Sequence, residues 1–352
     1  MIRWGTDVAR VEGVVGEPAP SGLGLVDQPV AGRTTTIEVA LVRQGAAGGR
    51  KRIRVNGVAR RSGGLLGVLR IVIFAPEEML LVAGSPNLRR SAIDNLAGQR
   101  SAQYLRDLAT YLRVLQQRNS LLRQIREEQA SRAELRFWDE SFIDAGAAIV
   151  SQRLQLLAEL AEPIARAHAE IAPEEVAAGA VLRVSYATNA PSLDDETPRD
   201  ALTRRLVETA DKEVWNGTTL IGPHRDDLVF EQSGRDLSSF ASRGQQRTAI
   251  LAFKLAELDL LTELDGRPPL LLLDDVFSEL DPARRAHLVR RIAELPQAFV
   301  TTTTLDDLDP ELRAHASSWS VEPPGGGRDE DQAPHGEAGA GGSRLVGPSV
   351  HA

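Results

Sequence analysis

Apolar and polar residues alternate through Thr34–Val42 (TTTIEVALV), the pattern of a strand with one face packed and the other wet. Arg52–Val55 continues in the same way and runs into Asn56-Gly57, a dipeptide suited to the positive φ of a tight hairpin turn. Val68–Phe74 is a mostly apolar run and predicts a buried strand. From about Asn87 to Ala169 the period becomes helical, with Leu105, Leu108, Leu112 and Leu115 and then Leu121, Leu122 and Ile125 on successive turns. Glycine and proline are sparse there before Pro163, so an all-helical insertion is expected. Next come a strand candidate at Val181–Tyr186, a polar loop at Ala190–Arg199, a helix over about Gln245–Leu264, the strongly apolar strand Leu270–Leu273 and a strand at Ala298–Val300.

Composition narrows the class. With 352 residues, 42% hydrophobic and 26% charged, the chain has enough apolar material for a folded core. The absence of cysteine excludes disulfides, thiol catalysis and cysteine-held metal, which suits a reducing compartment, and a cytoplasmic address is expected. No stretch approaches the roughly 18 apolar residues of a membrane span, and no apolar signal-peptide block opens the chain. The net charge of −8 argues against a general polyanion binder, so the distribution of the 41 basic residues matters more than their number. Val321–Ala352 holds 8 glycines and 4 prolines and reads as a disordered tail.

The four leucines lead directly into Asp274-Asp275 and then VFSELDP. A buried strand that ends in two acids delivers carboxylates to the sheet edge where open α/β folds place their ligands. In a nucleotide hydrolase the first carboxylate holds Mg²⁺ and the second orients or deprotonates the attacking water. The same acids also suit a plain cap for the helix after them. Upstream, Ser242-Arg243-Gly244-Gln245-Gln246-Arg247-Thr248 opens a helix, and a Ser and a Gly there turn a hydroxyl and backbone N–H groups toward an anion. Alone, that segment reads better as a capped polar first turn. The two segments together, with Ser278–Asp281 directly after the acids, favour phosphate binding.

In that order, Ser-x-Gly-Gln, a helix, an apolar strand with two acids and Ser-x-Leu-Asp look like the C-terminal half of an ABC-class ATPase head. TLIGPHRDDL (Thr219–Leu228), SRGQQRT and LLLDDVFSELD together resemble the RecF family of bacterial recombination mediators. Phe74-Ala75-Pro76-Glu77-Glu78 and Gly84-x-Pro86-x-x-Arg89-Arg90-x-x-x-Asp94 are similar to the same family, and the resemblance covers nearly all of Met1–Thr304. It implies an α/β fold, an ABC-type (P-loop) ATPase head with an inserted helical lobe, and ATP and Mg²⁺ as cofactors. Carried over by position, it implies Asp274 as the magnesium ligand and Asp275 as the catalytic acid beside the attacking water. Ser242, Gly244 and Gln245 would be the signature that meets the γ-phosphate of ATP held by the opposite subunit of an ATP-dependent homodimer. Ser278 to Asp281 would be the D-loop that crosses the dimer interface. For His224, Arg225 and Asp226 a salt-bridged turn and a nucleotide or interface contact are equal readings, and Thr301–Thr304 receive no catalytic role.

The family also begins with a strand and a Gly-x-x-x-x-Gly-Lys-Ser/Thr loop whose amides and lysine hold phosphates. None of Lys51, Lys212 and Lys254 follows a glycine, so the motif is absent from this sequence. Met1–Gly5 resembles the family a short way after that loop, and about sixty residues of the expected head (first strand, phosphate loop and first helix) are read as missing. Two explanations compete: a start codon assigned too far downstream, or a protein lacking half its ATP site. Slow ATPase activity is expected once the loop is restored, inactivity is expected of this chain alone, and an exposed sheet edge predicts poor solubility.

Arg50, Lys51, Arg52, Arg54, Arg60 and Arg61 cluster with no acid among them, and Arg89 and Arg90 open a run with eight arginines against Asp94 and Asp107. These are DNA-binding candidates, with a solvated helix surface as the plain alternative for the second group. The resemblance implies a dimer that clamps double-stranded DNA at single-strand gap junctions, with RecR, RecO and RecA as partners and no membrane. The rival readings are an ATPase-deficient DNA-binding scaffold and another SMC-type ATPase, against which the helical insertion is too short for a coiled-coil arm. The expected organisation is 1–86 as the remaining N-terminal part of the head, 87–200 as the helical lobe, 201–320 as the C-terminal part of the head with signature, acidic strand and D-loop, and 321–352 as the tail.

Overall fold

The computed structural model describes residues 6–16, 34–44, 48–60, 65, 68–305, 308–322 and 344–349. The chain divides into two compact units, Met1–Leu65 with Thr303–Ala352, and Leu66–Thr302. In the first, β1 (Val8–Gly16), β2 (Thr34–Gln44), β3 (Gly48–Val55) and β4 (Val58–Arg60) form an antiparallel sheet in chain order. Ile37 and Ile53 are its buried residues. The expected hairpin closes at Asn56 and Gly57, both at positive φ (50° and 76°), and the Asn56 side chain accepts from the Thr36 amide at 2.8 Å. β1 carries no burial alternation, since Val11 and Val14 are 71% and 64% exposed; this is why the hydrophobic pattern does not mark it. Arg61 lies outside the described residues.

The same unit holds α9 (Pro310–His315) and an antiparallel pair, β11 (Ser318–Glu322) with β12 (Arg344–Ser349). Glu322 and Arg344–Ser349 of this pair fall within the expected tail. Arg344-Leu345-Val346 is a short strand-forming run whose backbone groups find partners on β11. The tail residues between and beyond these strands lie outside the described residues.

In the second unit, β5 (Ile71–Phe74), β9 (Leu270–Asp274) and β10 (Ala298–Thr301) form a parallel sheet in the order β10-β9-β5, so the acid-bearing strand is central. Val72, Phe74, Leu271 and Leu273 are buried, while Ile73, Leu272 and Phe299 share one register row, with Ile73 and Phe299 45% and 48% exposed. α7 (Arg243–Asp265) is buried without a break from Thr248 to Leu258, a mostly apolar run in which Lys254 and Glu257 pair with each other, and it packs along α3.

The helical lobe comprises α1 (Pro86–Arg100), α2 (Ala102–Arg126), α3 (Leu135–Ile171) and the short α4 (Pro173–Ala177). α5 (Pro198–Asn216) also packs on α2 and α3, burying Leu202, Leu206 and Glu213, so the lobe runs past the expected boundary at 200. The polar loop before it ends at Thr197, which caps α5 reciprocally with Asp200. β6 (Leu182–Ala187), β7 (Asp227–Gln232) and β8 (Arg235–Asp236) form a small antiparallel sheet, followed by α6 (Leu237–Phe240), and α8 (Pro282–Ala293) lies between β9 and β10. Among the described residues no helix is long and apolar enough to cross a membrane.

Candidate nucleotide site

The central strand places Asp274 at its last residue, exposed, with its Oδ1 accepting a hydrogen bond from the Thr301 hydroxyl on neighbouring β10. Asp275 follows in the left-handed region at φ 51°, its N–H bonded to the Thr301 carbonyl at 3.1 Å. Such a φ is uncommon for residues other than glycine, with Asn and Asp among the more tolerant. Its Oδ1 is buried and has no hydrogen-bond partner, a state that ordinarily costs free energy unless something else completes it. Ser278 donates its hydroxyl to the Asp275 carbonyl at 2.9 Å, closing the turn after the strand. One exposed carboxylate beside an orphaned carboxylate oxygen suits Mg²⁺, which takes one or two carboxylates and fills its remaining positions with water and phosphate.

Ser242 is the N-cap of α7. Its hydroxyl accepts from the Gln245 amide at 3.3 Å, and the Gln245 side chain accepts from the Ser242 amide at 3.0 Å, a reciprocal capping box. The Gln245 amide group also reaches Gln232 on β7 at 3.5 Å. A side chain added to Gly244 would meet its nearest atoms at 3.8 and 3.9 Å, ordinary contact distances. Asp281 caps α8 by accepting from the Arg284 amide at 3.1 Å. Burial raises the Asp281 carboxyl, but the Arg284 amide and guanidinium more than offset that and hold it below the usual aspartate range. Among the described residues no hydrogen bond or ion pair joins the Asp274–Asp275 pair to Ser242, Gly244 or Gln245. The structure brings Gly244 and Asp281 together instead, through Thr248 and Arg284.

The GPHRDDL turn is held by the helical lobe. Arg118, buried in α2, donates to Asp139, Glu213 and the Thr219 hydroxyl at 2.9, 2.7 and 2.8 Å. Arg153, buried in α3, donates to Asp94, to the hydroxyls of Tyr104 and Tyr186, and to the Pro223 carbonyl at 2.8 Å. Tyr186 donates to Asp226 at 2.7 Å, and Tyr111 pairs with His224 Nδ1 at 2.6 Å. Burial pushes the Asp226 carboxyl up, while burial and the neighbouring Arg225 hold His224 down at about 4, neutral at ordinary pH. His224 and Asp226 therefore belong to a hydrogen-bonded turn. Beside it Arg90, Asp94, Leu108, Tyr111, Ile149 and His224 line part of a cavity of ≈ 220 Å³.

Arg89 is 8% exposed, and its fork is spent within the chain: Nε and Nη2 each meet Asp227 at 2.7 Å, and Nη1 meets the Val82 and Gly84 carbonyls at 3.0 and 2.9 Å. It is not available to DNA, because a bidentate pair joining α1 to β7 already uses the geometry that would read a phosphate. Arg90 is half-buried and donates to the Asp226 carbonyl and to Asn87. Arg50, Lys51, Arg52 and Arg54 are exposed on β3. Strand alternation puts Arg50, Arg52 and Arg54 on one face, with Arg54 3.9 Å from Glu38.

In sequence, the chain is 39% identical over 307 residues to the DNA replication and repair protein RecF of Herpetosiphon aurantiacus, covering 85% of this chain and 77% of that protein. It is 37% identical over 337 residues to the same-named protein of Bacillus velezensis, covering 92% and 82%. The chain belongs to the RecF family. No family model matches it. In structure it resembles the recombination mediator RecF with ATP, of the RecFOR pathway, at a TM-score of 0.73 and 29% identity over 87% of this chain and 77% of that one. The fold is accordingly the α/β ABC-type ATPase head of RecF proteins, with its helical lobe.

Two residues beside the candidate site escape a reading by sequence. Thr301, assigned no role, bonds Asp274 because β10 lies in parallel register with β9. Arg284 reaches back to α7, and in sequence it is one of several arginines of α8. Neither residue carries a local signal, since both act through a strand or helix pairing.

Proposed function

We propose that this RecF-family chain is an ATP-responsive DNA-binding protein of recombinational repair and replication, acting as a dimer closed by ATP on double-stranded DNA near single-strand gaps. The observation that carries the nucleotide part is the orphaned Asp275 Oδ1 beside exposed Asp274 at the end of the central strand. A family in which an ATP-bound structure is known supports ATP as the ligand. Asp274 would hold Mg²⁺, which when bound neutralises the phosphates it touches. Asp275, set by its φ and by the Thr301 carbonyl, would hold the attacking water and take its proton. Ser242 and the amides opening α7 would meet the γ-phosphate bound to the partner, with Ser278–Asp281 against the facing subunit. Arg50, Arg52 and Arg54 would meet DNA phosphates without reading bases. RecO, RecR and RecA are the proposed partners, in keeping with the pathway of the solved relatives, and the cytoplasm is the proposed location.

No glycine-lysine phosphate loop is present in the sequence, so the test compares this chain with the same chain extended upstream in frame. Light scattering and duplex-DNA binding are measured with and without Mg-ATP. Dimerisation and tighter DNA binding with Mg-ATP, in either form, support the proposal. DNA binding with no response to ATP in both forms replaces it with the scaffold reading.

A further inference from the structure

Thr248, the last residue of SRGQQRT, has one hydroxyl proton and two acceptor lone pairs. Arg284 of α8 fills the acceptor side, with Nε at 2.8 Å and Nη2 at 2.5 Å from Oγ1. The proton is thereby directed elsewhere, and the Thr248 hydroxyl donates to the Gly244 carbonyl at 3.1 Å. The third guanidinium nitrogen, Nη1, meets the Asp281 carboxylate, whose other oxygen accepts the Arg284 amide at 3.1 Å. One planar fork, 17% exposed, thus ties the carbonyl of Gly244 to the end of the Ser278–Asp281 segment. A lysine, a point charge without a fork, cannot hold both acceptors at this spacing.

We propose that Arg284 is a positioning residue that locks the α7 N-terminal turn to the Ser278–Asp281 loop, so that two segments facing the opposite subunit are presented as one rigid surface. The proposal rests on the ATP-closed dimer described above. Arg284 acts through Thr248 and Asp281 and need not touch nucleotide. Thr248 is the test position, because Thr248→Val keeps the shape and removes only the hydroxyl.

Mg-ATP-dependent dimerisation is measured by analytical ultracentrifugation for wild type, Thr248→Val, Thr248→Ser, Arg284→Lys and Thr248→Val/Arg284→Lys, in both chain forms, with thermal melts alongside. Thr248→Val and Arg284→Lys are each expected to weaken the dimer by about tenfold, the double variant no further than either, and Thr248→Ser to stay within about twofold of wild type. Wild-type dimerisation on ATP with Thr248→Val unchanged, or losses that multiply in the double variant, overturns the lock and leaves the dimer reading standing. Wild type that ignores ATP in both forms overturns both. Weakened dimers whose loss tracks a fall in melting temperature, including in Thr248→Ser, mark a merely structural role and also overturn it.

Discussion

Two regions of the same unit handle buried charge in opposite ways. In the helical lobe, Arg118 and Arg153 are buried with their guanidinium donors matched to carboxylates, hydroxyls and a carbonyl. At the end of β9, Asp275 buries a carboxylate oxygen with no partner, beside an exposed acid. GPHRDDL and LLLDDVFSELD look alike as sequence signals, since both are charged and sharply defined. Matched charge serves the architecture, because an unpaired buried ion is costly to keep, whereas an unmatched buried oxygen calls for an explanation, and at Asp275 the proposed one is the nucleotide site.

The largest effect should come from breaking the matched side. Arg118→Ala leaves Glu213, 0% exposed, without its partner and should lower unfolding free energy in urea by about 3–5 kcal/mol. Arg89→Ala should cost about 2–3 kcal/mol by freeing Asp227 and the Leu81, Val82 and Gly84 carbonyls, with no selective loss of duplex binding in the folded fraction by fluorescence anisotropy. His224 is held down at about 4 against an ordinary 6.5. The unfolded chain therefore takes up a proton that the native one does not, so stability is complete above pH 6.5 and falls as pH drops toward 4. Stability measured across that window should be flatter in His224→Gln by about 2 kcal/mol. On the unmatched side the sign reverses. Asp275→Asn should stabilise the metal-free protein by about 1 kcal/mol, since it alters a half-buried side chain whose Oδ1 has no partner and Asn accepts a left-handed φ; destabilisation in a thermal melt would contradict the contrast. Smallest of all, Arg50, Arg52 and Arg54 to Gln should each shift stability by less than about 0.5 kcal/mol while lowering the salt slope of duplex binding by about one.

Much of the site was legible because its signals are local. Leu270–Leu273 reads as a buried strand, Ser242–Thr248 as a capped first turn of a helix, and Asn56-Gly57 as a hairpin turn, and each conclusion needs only neighbours a few residues away. What was not legible depends on distant partners. Arg89 resembles any surface arginine until β7 brings Asp227 to it, and α5 joins the lobe through faces on α2 and α3 that no window of sequence contains. β1 is held by its pairing with β2 more than by buried alternation, so a reading that relies on burial passes over it. The partners of His224 and Asp226, Tyr111 and Tyr186, lie far away in the chain, so no local window shows them.

The most direct test is nucleotide retention by Asp275→Asn. Mg-ATP is added to wild type and variant, in this chain and in its in-frame extension, and bound ATP and dimer are followed together over time by size exclusion. The account predicts that wild type forms a dimer that decays as ATP is hydrolysed, while Asp275→Asn holds both ATP and dimer. Equal decay in the two proteins, or no bound ATP in any form, would contradict it.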